Sequence, residues 1–125
     1  MTNSLVLIIE DDPDLSTIFA EALKVADFET KIARDGKTAL NLLGQIVPDI
    51  VILDLHLPHA SGKDILEHIR GSARFTETKI ILATADASMA DTLESQVDLV
   101  LLKPISFGQL GDLAARLRPP DVMGF

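Results

Sequence analysis

The chain has 125 residues and no cysteine, 47% of its residues are hydrophobic, and its formal net charge is −8. This length suits one compact domain, and the lack of cysteine excludes a disulfide framework, thiol catalysis and cysteine-ligated zinc. The acidic charge argues against direct nucleic-acid binding by this segment. Since we find neither an apolar run of membrane-span length nor the pattern of a secretion signal, we expect a cytoplasmic protein without a membrane partner.

The first predicted strand is the apolar run Leu5–Ile9, which ends at the acids Glu10, Asp11 and Asp12. An uninterrupted apolar run is typical of a strand buried on both faces of a parallel sheet. Asp12 followed by Pro13 predicts the start of a helix. We therefore expect Asp12 to cap that helix, with direct metal binding by Asp12 as the alternative.

The second predicted strand and the helix after it have a different pattern of apolar residues. Apolar and polar residues alternate from Phe28 to Ile32, which predicts a half-exposed edge strand. Asp35 is placed to cap the helix that follows, and Pro48 ends the unit.

Three further apolar runs predict three further strands, and a polar residue ends each of them. The runs extend from Ile50 to Leu53, from Ile80 to Ala83 and from Val97 to Leu102, and they end at Asp54, Thr84 and Lys103.

Helical spacing follows each of these runs. The third helix would bury Ile65, Leu66 and Ile69, and the fourth is short and weakly patterned, from about Ser88 to Glu94. Ser106 is placed to cap the last helix, whose expected inward residues are Phe107, Leu110, Leu113, Ala114 and Leu117.

Alternation of strands and helices predicts an α/β protein with a parallel sheet covered by helices on both faces. The carboxyl ends of parallel strands meet at one edge, so the residues that end the strands should converge there. A 2-1-3-4-5 strand order would place strands 1, 3 and 4 side by side at that edge.

The residues expected at this edge are Glu10, Asp11, Asp54, Thr84 and Lys103. Carboxylates in close quarters repel one another, and a bound cation relieves that repulsion. Oxygen ligands without a thiolate favour Mg²⁺ or Mn²⁺. Asp54 is then placed to accept a phosphoryl group as an aspartyl phosphate, with Lys103 and the Thr84 hydroxyl to receive the phosphoryl oxygens.

The ordered set of motifs resembles that of response-regulator receiver domains (CheY-like) of two-component signal transduction, over essentially the whole chain. The motifs are Glu10-Asp11, Asp54-Leu55-His56-Leu57-Pro58, Thr84-Ala85 and Lys103-Pro104. The resemblance implies a five-stranded sheet in the order 2-1-3-4-5, a receiver domain over residues 1–118, and a tail or the start of a linker at 119–125.

The resemblance also implies a role for each motif residue. Glu10, Asp11 and Asp54 would bind the metal together with the backbone carbonyl of His56, and Asp54 would be the phosphoacceptor. Thr84 would be the switch hydroxyl, the Ala85 backbone and Lys103 would bind the phosphoryl group, and Pro104 would form a cis-type loop after the lysine.

The activity implied is phosphoryl transfer from the phosphohistidine of a histidine kinase, followed by a conformational switch that controls a downstream protein or output domain. Catalysis would be limited to self-catalysed phosphoryl acceptance and autodephosphorylation. The oligomeric state is left open, with a homodimer as one arrangement.

Two features depart from the family pattern. Val100 stands where the family commonly has a Tyr or Phe that takes part in the switch, and the stretch from Thr84 to Lys103 is short, which predicts a curtailed fourth helix. The alternative function is therefore a receiver-like interaction module with little or no response to phosphorylation.

Other functional classes fit less well. A phosphatase with an aspartyl nucleophile typically needs a second Asp where this chain has His56. A flavin carrier would need a Ser/Thr-rich loop after the first strand and an aromatic residue to stack on the flavin, and the chain has no Trp or Tyr. His56, His59 and His68 have no ligand spacing and are expected on the surface.

Overall fold

A computed structural model gives the fold of residues 3–119. Five parallel strands form one sheet in the order β2-β1-β3-β4-β5. The prediction of an α/β fold with this strand order is confirmed. The strands are β1 (Leu5–Ile9), β2 (Glu29–Ala33), β3 (Ile50–Leu53), β4 (Lys79–Thr84) and β5 (Leu99–Leu102).

Helices cover both faces of the sheet, as the alternation predicts. They are α1 (Pro13–Val25), α2 (Gly36–Leu43), α3 (Gly62–Arg70), α4 (Ala87–Leu93) and α5 (Phe107–Arg116), with short 3-10 turns at Ala73–Phe75 and Glu94–Gln96. Side chains of α1 and α5 pack in one core on one face, and those of α2, α3 and α4 pack in a second core on the other face.

Three helices begin at the capping residues predicted from the sequence. Asp12 accepts hydrogen bonds from the amides of Asp14 and Leu15, at 2.9 and 3.1 Å. Asp35 accepts from the Thr38 amide at 2.7 Å. Ser106 accepts from the Gln109 amide at 3.1 Å. Each cap satisfies amides that would otherwise lack a partner at the start of a helix.

Several details differ from the prediction. Phe107 was expected inside, but its side chain is 45% exposed, because it is the first residue of α5 and projects beyond the core. β5 begins at Leu99 because Asp98 leaves the strand pattern to bind other elements. The predicted tail at 119–125 lies, apart from Pro119, outside the described residues.

The fourth helix is short, as predicted. It has seven residues and continues into the 3-10 turn Glu94–Gln96. In the part of the chain that the structure covers, no helix combines the length and the apolar character that a membrane span requires.

Near the starts of β4 and β5, a polar network joins three elements. Asp98 Oδ2 accepts from the amide of Ile80 at 2.8 Å and from the guanidinium of Arg70 at 3.0 Å. Arg70 also donates to the carbonyls of Gln96 and Thr78, at 2.8 and 3.1 Å. We call these residues the amino-edge network, since they lie at the amino ends of the strands.

Helices α1 and α5 are in close contact. A Cβ atom on Gly111 would lie 3.2 Å from the carbonyl oxygen of Ala22, so the absence of a side chain allows the close approach. Arg118 places its guanidinium 4.2 Å from the centre of the Phe28 ring and also donates to the Ala26 carbonyl. The end of α5 is therefore fixed to the turn after α1.

Candidate functional site

The sheet order brings the predicted site residues together at its carboxyl edge. Ile9 and Leu53 are paired in register on β1 and β3, so Glu10 and Asp54, the next residues of each strand, lie side by side. The Asp54 amide donates to the Ile9 carbonyl at 3.0 Å, and the Lys103 amide donates to the Thr84 carbonyl at 2.8 Å. Four strands thus deliver their polar end residues to one place.

Three carboxylates form the centre of this group. Glu10, Asp11 and Asp54 each offer an oxygen, and these oxygens lie within 4.8 Å of one another. Glu10 and Asp54 are buried, at 1% and 5% exposure, whereas Asp11 is open to solvent. Clustered carboxylate oxygens with access from one side fit Mg²⁺, a hard cation that keeps some water ligands.

Lys103 partly compensates the carboxylate charge. Its Nζ lies 2.6 Å from Glu10 Oε1 and 3.6 Å from Asp54 Oδ2. One ammonium faces three carboxylates, so when all four groups are ionised the cluster keeps an excess of negative charge. A divalent cation would offset that excess.

The pKa values of two residues reflect this crowding. Burial raises the pKa of Glu10, and the charge of Asp54 raises it further, while hydrogen bonds from Lys103 and the Asp12 amide offset only part of the increase. Burial would lower the pKa of Lys103, but its hydrogen bond to Glu10 and the charge of Asp54 outweigh burial and raise it. Lys103 is therefore protonated at neutral pH.

The loop after Asp54 is held against the strand that precedes it. The His56 amide donates to Asp54 Oδ1 at 3.3 Å, and the Gly62 amide donates to the Leu55 carbonyl at 3.0 Å. A Cβ atom on Gly62 would lie 2.3 Å from the Asp54 carbonyl oxygen, so only glycine fits there without a shift of the backbone. An open cleft of about 360 Å³ lies between Asp11 and this loop.

The switch position and its surroundings lie on β4 and β5. Thr84 is fully buried, and its Oγ1 accepts a hydrogen bond from the Asp86 amide at 3.0 Å. Val100 pairs in register with Leu82, is partly buried, and packs against the core beneath α2, α3 and α4. Ala85 follows Thr84 and is exposed.

Other predicted residues are placed as follows. The Lys103–Pro104 peptide bond is cis. The Asp12 carboxylate serves as the cap of α1, and the carboxylate group found within residues 3–119 does not include it. His56, His59 and His68 are all exposed, as expected for surface residues.

One residue that the sequence did not single out is Asp86. Its Oδ2 lies 3.3 Å from His56 Nε2, and its Oδ1 accepts from the Met89 amide at 2.9 Å as the cap of α4. The Met89 hydrogen bond lowers the pKa of Asp86 against the opposing effect of burial, and His56 lowers it further. An Asp just before a short helix is a cap signal, but no local pattern could have revealed its pairing with a histidine in another loop.

Comparison with known proteins agrees with this geometry. Residues 6–115 match the family model described as "Response regulator receiver domain". The chain is 34% identical over 116 residues to the "Transcriptional regulatory protein TrcR" of Mycobacterium tuberculosis, covering 90% of this chain and 43% of TrcR. It is 37% identical over 101 residues to the "Regulator of RpoS" of Escherichia coli K12, covering 80% of this chain and 30% of that protein. The chain therefore spans less than half the length of either relative.

A solved structure is also similar. The response regulator TrrA from Thermotoga maritima, in complex with Mg(2+)-BeF, has a TM-score of 0.81 and 29% sequence identity. The match covers 91% of this chain and 98% of that one. Fold, site geometry and sequence similarity agree: the chain belongs to the family of response regulator receiver domains.

Proposed function

We propose that this receiver domain accepts a phosphoryl group on Asp54 from a histidine kinase, with Mg²⁺ bound, and switches conformation to control a partner or an output domain. The observation that carries the proposal is the contact of Asp54 with both the carboxylate cluster and Lys103. The cluster places oxygens within 4.8 Å of one another, and Lys103 Nζ lies 3.6 Å from Asp54 Oδ2.

Glu10, Asp11, Asp54 and the backbone carbonyl of His56 would hold the cation. When bound, Mg²⁺ would draw negative charge from the phosphoryl oxygens during transfer. The similarity to TrrA, whose solved structure is a complex with Mg(2+)-BeF, supports this assignment.

The protein's own groups account for the remaining chemistry. A carboxylate oxygen of Asp54 bonds to phosphorus as the P–N bond of the phosphohistidine breaks, and the electron pair of that bond returns to the donor imidazole. Lys103 Nζ and the Thr84 hydroxyl donate to phosphoryl oxygens, together with the backbone of Ala85. The protein thus catalyses its own phosphorylation and its later hydrolysis, rather than the turnover of a separate substrate.

Switching would begin at Thr84. Its hydroxyl faces the loop before α4, where it accepts from the Asp86 amide, and a phosphoryl group on Asp54 would offer it a charged acceptor. A change in the partner of one buried hydroxyl shifts a two-state equilibrium only if the two conformations bind the phosphoryl group differently.

The test is the intact mass of the wild type and of Asp54→Asn after incubation with Mg²⁺ and acetyl phosphate, beside a sample from which metal is removed. We expect a single phosphoryl adduct on the wild type that requires metal, and none on Asp54→Asn. Asp98→Asn, the same change at the opposite end of the sheet, is the matched control and should be phosphorylated normally. A stoichiometric adduct that persists on Asp54→Asn would overturn the site.

Val100 favours a second candidate, an interaction module with little or no response to phosphorylation. A partly buried valine lacks the ring that the family commonly uses in switching. Hydrogen exchange that is unchanged after confirmed phosphorylation would support this candidate.

The greater length of TrcR and Regulator of RpoS fits the proposal that residues 119–125 begin a linker to an output domain.

A further inference from the structure

A continuous path of polar contacts leads from Asp54 to α4. The His56 amide donates to Asp54 Oδ1 at 3.3 Å. The imidazole of the same residue reaches across to the next loop, where its Nε2 lies 3.3 Å from Asp86 Oδ2. One histidine therefore contacts the phosphoacceptor through its backbone and the loop after β4 through its side chain.

Asp86 uses its remaining polar groups to bind the switch residue and the helix. Its amide donates to Thr84 Oγ1 at 3.0 Å. Its Oδ1 accepts from the Met89 amide at 2.9 Å, and its carbonyl accepts from the Ala90 amide at 3.0 Å, so it begins α4. The switch hydroxyl and the first turn of α4 are thus joined through a single residue.

Stability alone does not explain the His56–Asp86 contact. The side chains of the two residues are 69% and 33% exposed, and exposed ion pairs contribute little to the stability of a fold. The α4 helix, by contrast, is sensitive to its cap, because a helix of seven residues is marginal without external support. A change at Asp86 should therefore affect α4 more than the stability of the whole domain.

We propose that His56 and Asp86 are positioning residues that link the Asp54 loop to the Thr84 hydroxyl and to the N-terminus of α4, and that this link transmits phosphorylation to α4. The inference rests on the proposed function, since it requires a phosphoryl group on Asp54. In the family, an aromatic residue commonly takes part in this coupling, but this chain has Val100 at that position. The inference assigns the coupling to two polar side chains instead. Neither side chain needs to touch the phosphoryl group.

The test measures hydrogen exchange of the α4 amides by mass spectrometry, with and without acetyl phosphate and Mg²⁺, at an occupancy fixed by intact mass. In the wild type we expect phosphorylation to change α4 exchange by about fivefold, because a contact between exposed side chains transmits only a modest coupling. His56→Ala removes the link and keeps the α4 cap. Asp86→Ser also keeps a capping oxygen but is too short to reach His56. Compared at the same phosphoryl occupancy as the wild type, both variants should lose most of the change in α4.

Two further variants separate positioning from general damage. Asp86→Asn keeps both the cap and a group that can hydrogen-bond His56, so it should retain the wild-type response. His59→Asn alters an exposed histidine of the same loop at a positive φ of 68°, which asparagine tolerates, and it should also retain the response.

The outcomes distinguish the inference from the proposed function. Absence of a phosphoryl adduct on the wild type would contradict the proposed function itself. An adduct without any change in α4, or with an unaltered change in His56→Ala and Asp86→Ser, would overturn the inference alone. Loss of the response in His59→Asn as well would overturn the assignment to His56 and Asp86.

Discussion

The charged residues at the two ends of the sheet differ in how well their charges are paired. In the amino-edge network, Asp98 and Arg70 form an ion pair, and they also hydrogen-bond three backbone groups of neighbouring elements. At the carboxyl edge, Glu10 and Asp54 are buried side by side with one shared ammonium from Lys103. The amino edge joins elements through complementary charges, whereas the carboxyl edge concentrates charge of one sign.

This difference indicates which end of the sheet can gain stability by binding a ligand. A polar group with well-matched partners gains little from a ligand, but carboxylates held close together by the surrounding fold are stabilised when a cation binds among them. Burial is the main reason that the pKa of Glu10 is raised, and the charge of Asp54 raises it further. Substitutions at the two ends should therefore have opposite effects on stability.

The largest effect is expected at the amino edge. Asp98→Ala leaves the Ile80 amide and part of the Arg70 guanidinium without their acceptor. We expect the free energy of unfolding to fall by about 2 kcal/mol, measured by urea denaturation. Phosphorylation of Asp54 by acetyl phosphate should be retained. A loss of phosphorylation in a folded Asp98→Ala protein would show that the two ends are not independent.

A smaller effect of opposite sign is expected at the carboxyl edge. In buffer without divalent metal, Asp54→Asn removes one of the crowded charges and should raise the free energy of unfolding by about 1 kcal/mol. Added Mg²⁺ should stabilise the wild type by binding its folded state and reduce that difference. Asp98→Asn, the matched control, should destabilise the protein under both conditions. The comparison fails if Asp54→Asn is less stable than the wild type without metal.

The smallest effect concerns Asp35, an acid at the carboxyl edge whose carboxylate already accepts hydrogen bonds from Thr38. The Thr38 amide hydrogen bond lowers the pKa of Asp35 below its ordinary value of 3.8. The ionised carboxylate therefore stabilises the fold above pH 3.8, and this contribution is lost as the pH falls through the lowered pKa. Asp35→Asn keeps a capping oxygen without the charge. Its deficit in urea midpoint relative to the wild type should disappear with falling pH, and a constant deficit would refute the assignment.

Much of the fold was predictable because buried parallel strands leave uninterrupted apolar runs and because helix caps are local. The run at Leu5–Ile9 and the cap at Asp12 show both effects. Phe107 was misplaced because periodicity does not define an inward face for the first residue of a helix. Asp98 lies within the predicted run from Val97 to Leu102, and that pattern could not show that its carboxylate binds the backbone of the neighbouring strand.

The site was predictable to the extent that strand ends determine it. Glu10, Asp54, Thr84 and Lys103 each end a strand, and a parallel sheet gathers such residues. The His56–Asp86 contact joins two loops far apart in the sequence, and its geometry depends on how those loops fold. Pairing of this kind has no periodic signal.

The close contact of α5 with α1 offers a practical advantage for spectroscopy. Gly111 lies against Ala22, and Arg118 binds the turn after α1, so the two helices should tumble as one unit. Because the chain has no cysteine, two fluorophores can be attached through two introduced thiols. A dye at exposed Ala115 of α5 would then serve as a fixed reference, and a second dye at exposed Ser88 of α4 as the reporter. The distance between the two dyes gives a direct optical readout of motion on the opposite face of the sheet.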